Sequence, residues 1–347
     1  MVLERAKQGL DRYFISAMTV LLLSGSAVGQ SDNYYEGKTI DLYIGFSSGG
    51  GYDTYARVLA THMSRHIPGN PTIVPRQMPG GGSRTAAGFM ANIAPKDGTA
   101  IATTDQSLPL FQTLGDPSIQ FDTTAFEYIG NPIADNNLVA TWHTSAVKTL
   151  EDARETSSRI GASGPDTSAF YPTAMNEILG TKFELIMGYS GGADVNLAMQ
   201  QGEVEGRGGN SWSSYKATTP FVQNNELHYI VQIGLERAAD LPDVPLLHEN
   251  ADNETDRAAL ELLSAPTALG RPFYAAPGTP DNAVQILRDA FNATMVDPEY
   301  LAAAEQAGLD INPVPGAEMA RIVSEIVNAE PEAVSRLYDA LAPLLAR

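Results

Sequence analysis

Short runs of β-branched and aromatic residues alternate along this chain with stretches of helical period, and glycine-rich turns join one to the next. Thr39 to Phe46 has the make-up of a buried strand, and Tyr55 onward places apolar residues at helix spacing. Ser47 to Thr54, with its three consecutive glycines, must turn one into the other. Thr72 to Met78 predicts a second strand, Pro79 to Ser83 a second glycine turn, and Arg84 to Ile93 a second helix. Thr99 to Thr104 predicts a third strand, ending in Asp105, Gln106 and Ser107. Repeated units of this length imply right-handed parallel crossovers, with the carboxyl ends of the strands sharing one edge where ligands bind.

A second series follows. Arg159 to Ala162 reads as a strand, Ser163 to Ser168 as a turn and Ala169 to Leu179 as a helix; Phe183 to Met187, Gly188 to Asp194 and Val195 to Gln201 repeat that order. Leu138 to Trp142 and Phe273 to Ala276 are β-like runs at the seams and predict hinge crossings between two lobes. Beyond Pro277 to Pro280, Asp281 to Thr294 and Ala317 to Leu341 predict amphipathic helices that return to pack on the first lobe. With 347 residues the chain exceeds what one core serves. The expected fold class is α/β with two lobes, each a mainly parallel sheet flanked by helices. Lobe 1 is expected over 30–137 and 272–347, and lobe 2 over 138–271.

The first residues depart from this pattern. Arg5, Lys7 and Arg12 precede an apolar run from Phe14 to Leu23, and small residues continue to Gly29, which is the layout of a signal peptide over 1–29. The run is short for a membrane span, so an exported, periplasmic protein is expected. A net charge of -19 without a Lys/Arg cluster excludes nucleic acid as a partner. The absence of cysteine removes disulfides, thiolate nucleophiles and Cys-bound metals together.

The glycine turns carry the candidate chemistry. The first N–H groups of a helix have no intrahelical acceptor and bear partial positive charge, so a strand, a Gly/Ser turn and a helix start make an anion cradle. From the first turn the candidates are Phe46, Ser47, Ser48, Gly49, Gly50, Gly51, Tyr52 and Asp53, with Asp53 read first as a cap. Ser107 follows the third strand; Ser163, Thr167 and Ser168 belong to the next turn. Tyr189, Ser190, Gly191, Gly192 and Asp194 belong to the last turn, and Asn210 lies beyond it. A carboxylate held by amides and hydroxyls of both lobes needs no titrating side chain; Arg84, at a helix start, hints at a second anionic group on the ligand but reads rather as a surface residue.

Gly188 to Gly192 also matches G-x-S-x-G, the nucleophile elbow of a secreted serine hydrolase, with Ser190 as nucleophile and His228, His248, Asp243 and Asp252 following in a permitted order. No HGGG-like stretch precedes it, and the other glycine turns would go unexplained. His62 and His66 have helical metal-ligand spacing but lack the glutamate of H-E-x-x-H, and no nucleotide fingerprint is present, so neither metal nor cofactor is expected.

FSSGGGYDTYAR, PGGGSRTAAGFMANIAPKDGT, GYSGGADVNLAMQQGEVEG, LPDVPLLHE and APGTPDNAVQILRDAF occur in this order. Together they resemble the Bug (TctC-like) periplasmic solute receptors of tripartite tricarboxylate transporters, from Gly37 to the C-terminus. The resemblance implies a non-enzymatic, monomeric Venus-flytrap protein that binds a small organic carboxylate and hands it to membrane permease subunits. In that family two prolines commonly precede the glycines of the first turn, and an acid follows. Here Ser47 and Ser48 replace the prolines, Gly49 and Gly50 match, and Asp53 falls on the acid. Ser83 and Arg84 stand where an asparagine-containing pair is common.

Overall fold

The computed structural model describes residues 34–218 and 220–345; the expected signal peptide lies outside them. From the amino end come β1 (Thr39–Ile44), α1 (Gly51–Met63), β2 (Thr72–Gln77), α2 (Arg84–Asn92), β3 (Ala100–Thr103), α3 (Leu108–Thr113) and β4 (Glu127–Asn131). The chain then crosses to β5 (Asn137–Trp142), α4 (Leu150–Glu155), β6 (Ser158–Ala162), α5 (Thr167–Leu179), β7 (Phe183–Met187) and α6 (Gly192–Gln200). The same lobe continues through β8 (Gly206–Ser211), α7 (Trp212–Thr218), β9 (Leu227–Ile233) and α8 (Glu254–Ser264). A second crossing leads to β10 (Phe273–Ala275), α9 (Asp281–Met295), α10 (Pro298–Gln306), β11 (Val314–Pro315), α11 (Gly316–Val327) and α12 (Pro331–Leu345).

Two sheets result, in the orders β11-β4-β10-β3-β1-β2 and β7-β6-β8-β5-β9. The two-lobed α/β architecture is as expected, but the sheets are mixed rather than mainly parallel. β1 pairs in parallel with β2 and β3, and β6 with β7 and β8. β10 and β5, the first strands after each crossing, run antiparallel to both their neighbours. The reason is geometric: a strand that starts at the edge where the lobes meet can only run away from it.

Burial follows the alternation of the strands. On β1 the side chains of Ile40, Leu42 and Ile44 are buried with Leu59 of α1 and with Leu287 and Phe291 of α9. Phe291 lies so close to β4 that a Cβ on Gly130 would overlap its ring, which accounts for a glycine inside a strand. The crossings are tied to each other through buried Asn131, whose Oδ1 accepts the backbone N–H of Ile133 at 3.0 Å and of Arg271 at 2.9 Å.

The C-terminal helices differ from expectation. The single helix read over Ala317 to Leu341 is two, because α11 ends at Val327 and Pro331 starts a new helix at a position where its missing N–H costs nothing. α11 packs on β4 and α3 of lobe 1, whereas α12 packs on α8 and α5 of lobe 2. Arg336 of α12 pairs with Asp256 of α8 at 2.5 Å, and Thr255 donates to Glu332 at 2.8 Å. The chain therefore passes between the lobes a third time.

Candidate ligand-binding cleft

A cleft of about 560 Å³ lies between the two sheets, at the carboxyl ends of β1, β2 and β3 on one side and of β6, β7 and β8 on the other. Of the sequence candidates, Phe46, Ser47, Gly49, Gly50, Gly51, Tyr52, Ser163, Thr167 and Ser168 line it, with Tyr189, Ser190, Gly191, Gly192 and Asn210. Four do not. Ser48 and Asp194 are exposed away from the lining, and Ser107 is buried at the start of α3 with its N–H given to Asp105 at 2.7 Å. Asp53 is also buried, and it holds the turn together. One oxygen accepts the Gly49 N–H at 2.9 Å; the other accepts from Arg57 at 2.8 Å and Gln77 at 2.7 Å.

The helix starts are of two kinds. Gly50 precedes α1 and Gly191 precedes α6, and neither helix has a side-chain cap, so their first amides remain donors. α5 is capped by Asp166, which accepts the Ser168 N–H at 2.9 Å and the hydroxyls of Ser168 at 2.5 Å and Ser163 at 2.6 Å. Those two hydroxyls face the cleft with their protons already engaged. Free helix-start amides therefore face the cleft from α1 of one lobe and from α6 of the other. The two turns approach each other, for a Cβ on Gly191 would lie 3.0 Å from the Ser47 hydroxyl.

Charged side chains complete the wall. Arg271, buried at the second crossing, donates through Nη2 to the hydroxyls of Ser211 at 2.7 Å, Ser214 at 2.8 Å and Ser213 at 3.2 Å. Its guanidinium sits 4.2 Å from the ring centroid of Tyr55 and 5.7 Å from that of Tyr52. Arg207, on β8 and part-exposed to the cleft, donates to Asn196 Oδ1 at 3.2 Å. Burial weakens its hold on a proton, and nearby Tyr215 and Asp166 oppose that. Arg84 is not the surface residue expected. Its side chain is mostly buried, paired with Asp116 at 2.6 Å, and reaches across the lobes to the Pro165 carbonyl at 3.0 Å.

Two acids of the cleft are pushed the opposite way. Burial, and next the charge of Asp166, raise the carboxyl of Asp105 to about 7 against the counter-effects of the Ser107 N–H and Arg84. Burial likewise raises Asp135, with Arg271 as the main opposing influence. With Asp105 and Asp135 holding their protons more tightly than free carboxyls, these two acids place less negative charge in the cleft than they would in water. Arg207, Arg271, Asp105, Asp135 and Asn196 were not candidates from sequence. Only Arg207 left a trace, as a lone cation inside the glycine-rich strand GRGGNS.

Residues 55–337 match the family of tripartite tricarboxylate transporter family receptors, TctC. The chain belongs to that receptor family. Among curated proteins it is 26% identical over 319 residues to the UPF0065 protein in gbd 5'region of Cupriavidus necator, covering 90% of each chain. Among solved structures it is similar to the periplasmic binding protein BugD, with a TM-score of 0.69 at 19% identity over 88% of this chain and 98% of that one. It is also similar to MatC from Rhodopseudomonas palustris with bound malate, with a TM-score of 0.65 at 19% identity over 88% and 99% of the two chains. A protein of R. palustris with adipate gives a TM-score of 0.67 at 18% identity over 87% and 97%.

A TctC receptor is a binding protein, not an enzyme, and the geometry around Ser190 agrees with that. Among the described residues no histidine lines the cleft. His228 pairs with Thr141 at the end of β5 remote from the cleft, and its ring lies 3.3 Å from the His143 carbonyl. The i, i+4 histidines of the TctC receptor also serve packing: His66 meets Asp297 at 2.7 Å and His62 meets Arg65 at 3.2 Å. Among the described residues no cluster able to hold a metal ion occurs, and no helix is long and apolar enough to cross a membrane.

Proposed function

We propose that this protein is an extracytoplasmic receptor that closes its two lobes on a small organic carboxylate and delivers it to the membrane permease subunits of a tripartite tricarboxylate transporter. The observation that carries the reading is the pair of uncapped helix starts, α1 and α6, facing one cleft from opposite lobes. Backbone donors fixed in place need no reorganisation to meet an anion. Malate and adipate in two structural relatives are in keeping with a carboxylate guest. Export by the expected signal peptide would leave a mature monomer beginning near Gln30 in the periplasm, where a permease can meet it.

A thermal-shift panel tests the binding step. Small carboxylates should include members that raise the melting temperature, while their amides and alcohols leave it unchanged. A carboxylate at a hundred times its dissociation constant adds about 2.7 kcal/mol to stability, a readable shift for a protein of this size. A panel without any stabilising acid would overturn the reading.

A further inference from the structure

Two guanidinium groups reach the cleft with no carboxylate in contact. Among the described residues no ion pair includes Arg207 or Arg271. This is notable in a chain with 41 acidic residues against 22 Lys and Arg. Each arginine is set against the glycine that opens an uncapped helix. A Cβ on Gly51 would lie 2.8 Å from Arg271 Nη2, and one on Gly192 would collide with the Arg207 guanidinium. Absence of a side chain at these two positions is what lets each cation stand beside the free amides of α1 and α6.

A second observation points to a missing guest. Arg271 is only 3% exposed, yet its Nε has no hydrogen-bond partner, and the buried Nδ2 of Asn210 in the cleft wall has none either. Buried donors are normally satisfied, so these two call for an acceptor. The acids of the wall do not supply it. Asp166 is engaged by Ser163 and Ser168, and Asp135 accepts the Ser213 N–H at 2.8 Å. The two cations are held on different elements: Arg207 stands on β8 against Gly192 of α6, and Arg271 stands at the second crossing against Gly51 of α1.

We propose that Arg207 and Arg271 are the specificity-determining side chains of this receptor, each taking one anionic group, so that a solute with two such groups is selected over one with a single group. The inference rests on the carboxylate reading above. An arginine meets a carboxylate through charge-assisted, often paired hydrogen bonds, which a neutral amide cannot reproduce. Backbone amides alone would discriminate much less between an acid and its amide at the far end of the molecule.

Calorimetric titration of the purified full chain with succinate, glutarate and adipate, each beside its monoamide, tests the proposal. At least one diacid should bind about 10- to 100-fold more tightly than its monoamide. Arg207→Gln should weaken the diacid by the same factor and leave the monoamide nearly unchanged, since that ligand keeps its one carboxylate on Arg271. Gly192→Ala, which retains the charge but displaces the guanidinium, should give a partial loss and serves if Arg207→Gln does not fold. Equal binding of diacid and monoamide by the wild type, or a preference that survives both substitutions, overturns this proposal and leaves the receptor reading standing. Failure of every carboxylate to bind overturns both.

Discussion

Gly50 shows how a single position separates stability from binding. Its φ of -87° and ψ of 172° are open to any residue, and a Cβ there would meet nothing within 4 Å. Gly50→Asp should therefore fold, and the new carboxylate should cap α1 for a gain of a few tenths of a kcal/mol. The same carboxylate occupies the place of the anion, so affinity for a stabilising acid should fall on the order of tenfold, as read by calorimetry. Asp105 gives a second test at this scale. Its carboxyl is raised to about 7 in the folded protein, against about 3.9 when unfolded. The folded state thus binds that proton more tightly, and stability falls as pH rises between those values and levels off above them. Asparagine has no such proton to lose. Asp105→Asn should gain on the wild type from about pH 4 to about pH 7, by at most about 4 kcal/mol, in urea denaturation. The glycine turns were legible in the sequence because no other residue so permits close approach. Arg207 and Arg271 were not, since a strand or loop arginine carries no mark of whether it points to solvent or into a cleft.

Between elements, the contact of β4 with α9 concentrates the core of lobe 1. Gly130→Ala should push the Phe291 ring out of its place and cost about 1–3 kcal/mol. In a Phe291→Ala background the same change should cost much less, a coupling that chemical denaturation of the four proteins would measure. Additive effects would mean that the strand and the ring do not touch. The period of the apolar residues made β1, α1, β2, α2 and the units of lobe 2 readable in advance, because each buries one face. The direction of β5 and β10 was not readable, since pairing sense depends on where the chain re-enters a sheet rather than on which residues it contains. The split between α11 and α12 could have been read from Pro331. The surface that α12 covers could not, because an amphipathic face specifies that it is buried and not against what.

At the scale of the whole molecule, the contacts between the lobes include Ser47 with Gly191, Arg84 with Pro165, Phe111 with Phe170, Lys216 with Asp310, and Arg271 with the serines of β8 and α7. The tie from Asn131 to Ile133 and Arg271 places the joint at the two crossings. The third passage of the chain then acquires a mechanical meaning. Two neighbouring straps can bend and also twist, and a third short strap, leaving α11 where that helix packs on Ala265–Leu269 ahead of the second crossing, limits how far the lobes can twist and gape. That strap is the stretch from Asn328 to Glu330, three residues that can extend to only about 10 Å. It acts as a stop. A short Gly/Ser insertion after Asn328 should raise the radius of gyration of the empty receptor in X-ray scattering, while the carboxylate-bound value stays where it was. An unchanged empty value would mean that the crossings alone set the range of motion. Slack in a segment that touches no ligand would then weaken binding, because a wider open state has further to travel before the two arginines and the two helix starts face the same molecule.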